Sequence, residues 1–347
     1  HAANVCSEVP MTIHITANGT IRGAIRRGIR LPVRFMYDNL LEGPCASYPE
    51  LHCEQRLDYW ELQGQERIPG RSRFYDIVKA LKSRQRIVVW TSGLWSDRLM
   101  LWALCAWRLQ YRPEHPDLDL VVLGDAPEDR FRGESIRVEP ADARRGLDDA
   151  RALPLAEVRD MARSWRRVCG RYPVLFAEGR RPGQAREDLA TLGAHQAAFF
   201  PRRNGKALTL SRIDHLLFSC LGKGWSTPLD VVMHRSPAGD ELMNQWMMRI
   251  GDCSFANRLR QWAKYGGDEA ALESMPYREQ RTMLEARYRL TAAGEAIKRR
   301  GLAEIGQGPP WPIWGVVAYD PANPWVVVNE DGEGPHFERP GKRGDGS

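Results

Sequence analysis

The feature that most constrains this sequence is the alternation of short apolar runs with longer helical segments. Residues 12–16 (TIHIT), 86–90 (RIVVW) and 118–123 (LDLVVL) are strand-like, and residues 21–29 and 97–109 are helix-like. Strands that alternate with helices indicate a parallel sheet covered on both faces. Continuous apolar runs are typical of strands buried in this way. The first part of the chain is therefore predicted to be an α/β domain.

The C-terminal part has a different pattern. Residues 211–221 (SRIDHLLFSCL) place apolar side chains on one helical face, and Thr227-Pro228 opens a second helix with proline in its first turn. A helix over 254–265, a strand over 286–291 and a helix over 292–300 follow. This order predicts a mostly helical, winged-helix-like domain, with a short β element after it.

The domain organisation follows from these patterns and from loop-like sequences such as PRRNG at 201–205. The predicted fold class is α/β, with an N-terminal parallel-sheet (Rossmann-like) domain before the winged-helix-like one. The predicted parts are a leader or cloning remnant at 1–10, the α/β domain with a helical insertion at 11–200, the winged-helix-like domain with a C-terminal hairpin at 206–328, and a flexible tail at 329–347.

Composition excludes several classes of protein. The chain has 347 residues, of which 43% are hydrophobic and 27% charged, as in an ordinary globular protein. The longest apolar run, residues 99–107, is about half the length that a bilayer span needs, so no membrane association is predicted. The net charge of +6 and the pI near 9.0 favour anionic partners.

The seven cysteines are scattered and include no CxxC pair. Several lie in apolar contexts, where a thiol packs as a small hydrophobic group, which predicts a reducing, cytoplasmic location. Cys45, His52 and Cys53 form a local cluster, but their spacing matches no zinc framework. No metal is predicted, and no cofactor is indicated.

Taken in order, several segments resemble the bacterial family catalogued as domain of unknown function 1835. The matching segments are IHITANGTIRGAIRRGI, LLEGP, RIVVWTSGLWSDRLMLWALCAW, LTLSRIDHLLFSCL and YRLTAAGEAI, with Gly315 and Trp325 further on. The resemblance covers most of the chain from Met11 to Asp331. It implies an α/β domain followed by a helical one, and it implies no activity. Such families tend to show His-Asp where this chain has Gly93-Leu94.

The loop after the first strand is the first candidate ligand site. Asn18, Gly19 and Thr20 lie where the carboxyl edge of a sheet meets a helix N-terminus, which favours an anion. Ser92 follows a second strand at the same edge. Three arginines of the following helix would add positive charge nearby: Arg22, Arg26 and Arg27. The alternative is an ordinary turn with Thr20 as the helix cap.

Three carboxylates are candidate acid/base residues. Asp38 and Glu42 lie in the loop YDNLLEGP, and Asp97 follows the RIVVW strand. The alternatives are a solvated helical turn for the first two and, for Ser96 or Asp97, capping of the next helix. No G-x-S-x-G motif accompanies Ser92, and His14 is expected in the core or at the sheet edge.

The helix over 254–265 is the candidate nucleic-acid interface, because it combines cations for phosphates with amides for base edges. Its candidate contacts are Asn257, Arg258, Arg260, Gln261 and Lys264. Arginines of the adjacent wing would flank them: Arg281, Arg287 and Arg289. Base stacking would be open to Trp90, Trp95, Trp102 and Trp107, but Trp95 and Trp102 share one helical face with Leu99, which favours core packing.

These observations predict a two-domain binding protein. The α/β domain would hold a small anionic ligand, and the winged-helix-like domain would contact nucleic acid or a protein partner. The alternative is an enzyme acting on a phosphorylated or carboxylated metabolite with carboxylate acid/base groups. A third alternative is an accessory protein that catalyses no reaction of its own. The oligomeric state is not predicted.

Overall fold

The chain divides into two compact units, His1–Cys169 and Gly170–Ser347. The computed structural model describes residues 12–36, 38, 40–41, 43–62, 71–124, 138–170, 187–204, 207–247, 250, 252–275, 283–302, 325–330 and 334–338. This division lies before the loop 201–205 at which the sequence predicts the boundary.

The first unit contains a five-stranded sheet in the order β2-β1-β3-β4-β5. Its first four strands are parallel and β5 runs antiparallel to β4. Each residue of β1 and β3 is buried, as expected for strands covered on both faces. The mixed α/β class with a mostly parallel sheet is therefore confirmed. The strands are β1 Ile13–Thr16, β2 Val33–Phe35, β3 Ile87–Thr91, β4 Leu118–Val122 and β5 Arg151–Ala152.

Six described helices accompany this sheet: α1 Gly19–Gly28, α2 Pro49–Leu62, α3 Arg71–Lys82, α4 Trp95–Tyr111, α5 Pro140–Asp148 and α6 Leu155–Val168. Ile21 and Ile25 of α1 pack with Trp90 of β3 and with α5 in one buried cluster. The backbones of α1 and α5 approach closely at Gly28, where a Cβ atom would lie 2.2 Å from the Pro140 carbonyl oxygen. On the opposite face α4 packs against α3 and α6.

The four tryptophans weighed for base stacking are all buried: Trp90, Trp95, Trp102 and Trp107. His14 is also buried, and its Nδ1 accepts a hydrogen bond from Nε1 of Trp90 at 3.0 Å. Among the described residues, no helix has the length and apolar character that a membrane span requires.

The second unit contains a four-stranded sheet in the order β11-β10-β6-β7, next to which α7 Glu187–Ala197 lies. Two predictions are corrected here. Part of the predicted loop 201–205 is strand β6, because it pairs with both β7 and β10. The predicted flexible tail contributes β11, which pairs with β10. The strands are β6 Arg202–Asn204, β7 Ala207–Thr209, β10 Val326–Glu330 and β11 Gly334–Glu338.

The remainder of the second unit is mainly helical. An isolated bridge joins Ser226 to Tyr288 of β9, and β8 and β9 form an antiparallel hairpin. Gly294 permits close packing, since a Cβ atom there would lie 2.1 Å from the Ala271 carbonyl oxygen. The elements are α8 Arg212–Cys220, α9 Pro228–Val232, α10 Pro237–Glu241, a π-helix Leu242–Met247, α11 Asp252–Lys264, β8 Leu272–Met275, β9 Arg287–Leu290 and α12 Ala292–Arg300.

Candidate functional site

The topology of the first unit singles out one position at the carboxyl edge of its sheet. The chain leaves β1 toward β2 on one side, and it then crosses to β3 on the other side of β1. The connections after β1 and β3 therefore diverge between these two adjacent strands. In open α/β sheets, such a switch point forms a crevice in which ligands commonly bind.

Three predicted site residues meet at this position. Asp97 Oδ2 accepts hydrogen bonds from the backbone N–H of Ser92 at 3.0 Å, from the Ser92 hydroxyl, and from Asn18 Nδ2 at 3.4 Å. Ser92 Oγ in turn accepts a bond from the N–H of Leu94 at 3.2 Å. The network therefore ties the loop after β1 to the loop after β3.

Asp97 is a buried carboxyl group, with a relative exposure of 1%. Its burial raises its pKa, although the hydrogen bonds from Ser92 and Asn18 oppose the shift. Among the described residues, no lysine or arginine forms an ion pair with it. The described donors to Asp97 are therefore neutral groups. Protonation of a carboxyl group costs less free energy among neutral donors than it does in an ion pair.

The two helices that begin here differ in how their N-termini are satisfied. Asn18 is the N-cap of α1, because its Oδ1 accepts bonds from the N–H groups of Thr20 and Ile21 at 3.0 and 3.3 Å. The prediction of Thr20 as cap is therefore wrong by two residues. The N-cap of α4 is Leu94, which has no side-chain cap bond, so the predicted capping by Ser96 or Asp97 is wrong as well.

Arg22 lies one helical turn after Asn18, on the same side of α1. Its guanidinium lies over the ring of Phe35 at 5.0 Å from the centroid. Its Nε atom is buried and has no hydrogen-bond partner among the described residues. No described carboxylate forms an ion pair with Arg22.

The first residues of α1 are open to solvent. A Cβ atom on Gly19 would meet no other atom within 4 Å, and Gly19 and Thr20 are both exposed. Arg26 and Arg27 are exposed on the last turn of the same helix, which has no acidic residue in its first turn. A ligand could therefore reach the start of α1 from solvent.

Asp38 belongs to a different cluster. Its carboxylate accepts bonds from Arg56 Nε at 3.0 and 2.9 Å and from Nη2, and both side chains are fully buried. His52 Nε2 lies 3.5 Å from Asp38 Oδ2, and its Nδ1 accepts a bond from the N–H of Ala46 at 3.3 Å. Burial would raise the pKa of Asp38, but Arg56 and His52 lower it to about 2.

The structure therefore does not bring the predicted acid/base residues together. Asp38 is a buried partner of Arg56 rather than part of a solvated turn, and Asp97 bonds to Ser92 and Asn18. Glu42 lies outside the described residues. Sequence reasoning missed Arg56, and no spacing signal marks it, because the pair is formed by a loop and the middle of α2.

The predicted nucleic-acid interface on α11 needs correction. Arg258 is 2% exposed, and its Nε and Nη2 donate to Asp214 at 2.7 and 2.6 Å. Trp262 Nε1 also donates to Asp214, at 2.8 Å. Asn257 is buried and accepts a bond from Arg260 Nη2 at 2.7 Å. Arg258 and Asn257 are therefore interior residues and cannot contact a duplex in this fold.

The other predicted contacts have mixed positions. Lys264 is exposed, whereas Arg260 and Gln261 are half-buried. In the wing, Arg287 is exposed, and Arg289 pairs with Glu273 and lies over the ring of Trp225 at 4.5 Å. Arg281 lies outside the described residues.

Comparisons with models of known protein families, with curated proteins and with solved structures find no match for this chain. The resemblance to domain of unknown function 1835 stays a prediction from the sequence.

Proposed function

We propose that the first unit is a Rossmann-like domain that binds a small anionic ligand between the carboxyl ends of β1 and β3. The observation that carries the proposal is Arg22, which forms no ion pair with a described carboxylate and lies one turn from Asn18 at the switch point. Arginine binds carboxylate and phosphate groups through paired N–H donors. The ligand-binding residues are Asn18, Gly19, Thr20, Arg22 and Ser92.

The surroundings supply further positive potential. The N-termini of α1 and α4 both begin at this edge, and each helix dipole favours negative charge within its first turn. Asp97 acts here as a positioning residue, because its carboxyl group holds Ser92 and Asn18 in place.

A thermal-shift screen of the full chain tests this function. The panel holds nucleotides, phosphorylated metabolites, amino acids, divalent cations and short duplex DNA. A ligand at about 100 times its Kd stabilises a protein by roughly 2.7 kcal/mol, which is readily detected. We expect a small anion to raise the melting temperature, and a turnover assay with that compound would follow.

Paired variants locate the binding. Arg22→Gln should abolish the shift, whereas Arg26→Gln, one turn further along the same helix and exposed, should preserve it. A shift that survives Arg22→Gln would contradict the site, and the absence of any anion-dependent shift would contradict the function.

We propose that the second unit contains a winged-helix-like domain that contacts a protein partner. Support for the fold comes from the order α8, the Ser226 bridge, α9, α11 and the β8–β9 hairpin. The burial of Arg258 and Asn257 weakens base recognition. By contrast, Leu229 of α9 and Met233, the residue after this helix, lie four residues apart and are 50% and 61% exposed, which favours an apolar partner surface.

Duplex DNA binding separates this candidate from nucleic-acid recognition. A DNA-binding surface at Lys264 would make affinity salt-dependent, and Lys264→Ala would reduce the salt slope by about one. We expect no specific duplex binding that depends on Lys264. Specific duplex binding that is weaker in Lys264→Ala than in the wild type would contradict a protein partner and would indicate nucleic acid as the partner of this unit.

An enzyme acting on a phosphorylated or carboxylated metabolite is the alternative for the first unit. It would now rest on Asp97, since Asp38 is committed to Arg56. Turnover of a screened compound that Asp97→Asn abolishes, while its binding is kept, would favour this alternative.

The free thiols of the described cysteines support a reducing, cytoplasmic location.

A further inference from the structure

The second unit gathers positive charge around the first turn of α8. Arg212 and His215 lie three residues apart and so project from the same side of this helix. The charges that act on His215 come from Arg212, Arg202 of β6, Lys298 of α12 and one carboxylate, Glu241 of α10. Three permanent cations and a single described carboxylate thus surround an exposed imidazole.

That carboxylate is already committed to one of the cations. Arg212 Nε donates to Glu241 Oε1 at 2.9 Å, and Arg212 Nη2 donates to Oε2. Trp246 Nε1 donates to Oε1 at 3.3 Å. Lys298 Nζ donates only to neutral acceptors, the carbonyl oxygens of Ser219 and Leu221, at 3.4 and 2.8 Å. Glu241 is therefore bonded to Arg212, and its single negative charge also acts on Arg202 and His215.

Arg202 forms no ion pair with a described carboxylate, although the charge of Glu241 acts on it as well as on Arg212. Its Nε atom is buried and has no hydrogen-bond partner, and no described carboxylate accepts a bond from its guanidinium. Burial lowers the pKa of Arg202 and the charge of Arg212 lowers it further, while the charge of Glu241 opposes both effects. Two neighbouring guanidinium groups that repel each other cost stability, and such a cost is typical of a functional site.

We propose that Arg202, Arg212 and His215 bind the phosphate group of a small phosphorylated molecule, at a site in the second unit that is separate from the anion site of the first. A phosphomonoester has three terminal oxygens, which two guanidinium groups and an imidazole can share. A carboxylate has only two oxygens and one charge. The bidentate pair with Glu241 leaves other N–H groups of Arg212 available for the ligand.

Calorimetric titration of the full chain with inorganic phosphate tests the site, with acetate at equal ionic strength as the carboxylate comparison. Arg202→Gln should weaken phosphate binding about tenfold or more, the loss expected for one charge-assisted hydrogen bond. The same variant should not lower the melting temperature of the free protein, because it removes repulsion from Arg212. Arg235→Gln, at an exposed arginine of the same unit, is the matched control.

The outcomes are distinguishable. Phosphate binding that Arg202→Gln weakens and Arg235→Gln preserves supports the site. Equal losses in both variants would indicate general charge attraction and overturn it, as would acetate binding of equal strength. Phosphate binding that Arg22→Gln abolishes and Arg202→Gln preserves would overturn this site and leave the proposed function of the first unit intact. Duplex DNA that binds through Arg202 when phosphate does not would also overturn it.

Discussion

Asp38 and Asp97 are both buried carboxyl groups of the first unit, but they have opposite electrostatic surroundings. Asp38 follows β2 and lies against Arg56 and His52, which hold its pKa at about 2. Asp97 follows β3, lies among the neutral donors of Ser92 and Asn18, and has a raised pKa because it is buried.

The difference separates a structural role from a functional one. In a buried ion pair the two charges compensate each other. The pair of Asp38 and Arg56 joins a loop to α2, so the burial of Asp38 is explained without a ligand. A buried carboxyl group that forms no ion pair with a described cation costs stability, and the proposed anion site gives this group a positioning role at the switch point. Arg22, whose buried Nε atom has no hydrogen-bond partner among the described residues, lies on α1 one turn after Asn18.

The largest expected effect comes from removing the cation of the structural pair. Arg56→Met leaves Asp38 buried without its partner and should lower the free energy of unfolding by about 3–5 kcal/mol. Urea denaturation at pH 7 measures this loss. Arg145→Met, which breaks an ion pair with Asp142 in which Arg145 is exposed, should leave stability nearly unchanged. Similar losses in both variants would contradict the structural role of Arg56.

The acid limb of the stability profile should report Asp38. Its pKa is lowered from 3.8 to about 2, so its contribution is present above pH 4 and is lost as the pH falls toward 2. The expected loss is about 2 kcal/mol. Denaturation of the wild type and Asp38→Asn between pH 5 and 2 checks it. A variant that shows the same pH dependence as the wild type would contradict the ion-pair account.

Asp97 should produce the opposite dependence. Because its pKa is raised above 3.8, its contribution is present below that pH and is lost as the pH rises through the folded-state value. The stability of the wild type relative to Asp97→Asn should therefore fall as the pH increases from 4. A relative stability that rises over this range would indicate an unrecognised cation near Asp97.

The smallest effect is expected at Gly19. The space around it is open, so Gly19→Ala should change the free energy of unfolding by no more than about 0.5 kcal/mol. The same methyl group occupies the approach to the start of α1 and should weaken anion binding. Thermal shifts with and without the anion measure both effects. A stable variant that binds the anion with unchanged affinity would show that Gly19 is not part of the site.

The sheet and its edge could be predicted because strand burial and helix spacing are local patterns. The ends of the strands at Thr16 and Thr91 then place Asn18, Ser92 and Asp97 together. Long-range polar partners leave no such pattern. Helical spacing placed Arg258 on α11. It could not reveal that Asp214, 44 residues earlier, accepts its hydrogen bond in the interior. The strand β11 was missed because its sequence, GPHFE, is short and polar.

The most direct test of the anion site is an amide NMR titration of the full chain with the best small anion from the screen. The account predicts shifts at the amides of Gly19, Thr20 and Ser96, with loss of these shifts in Arg22→Gln and their retention in Arg26→Gln. Shifts confined to other residues, or shifts at Gly19 that persist in Arg22→Gln, would contradict it.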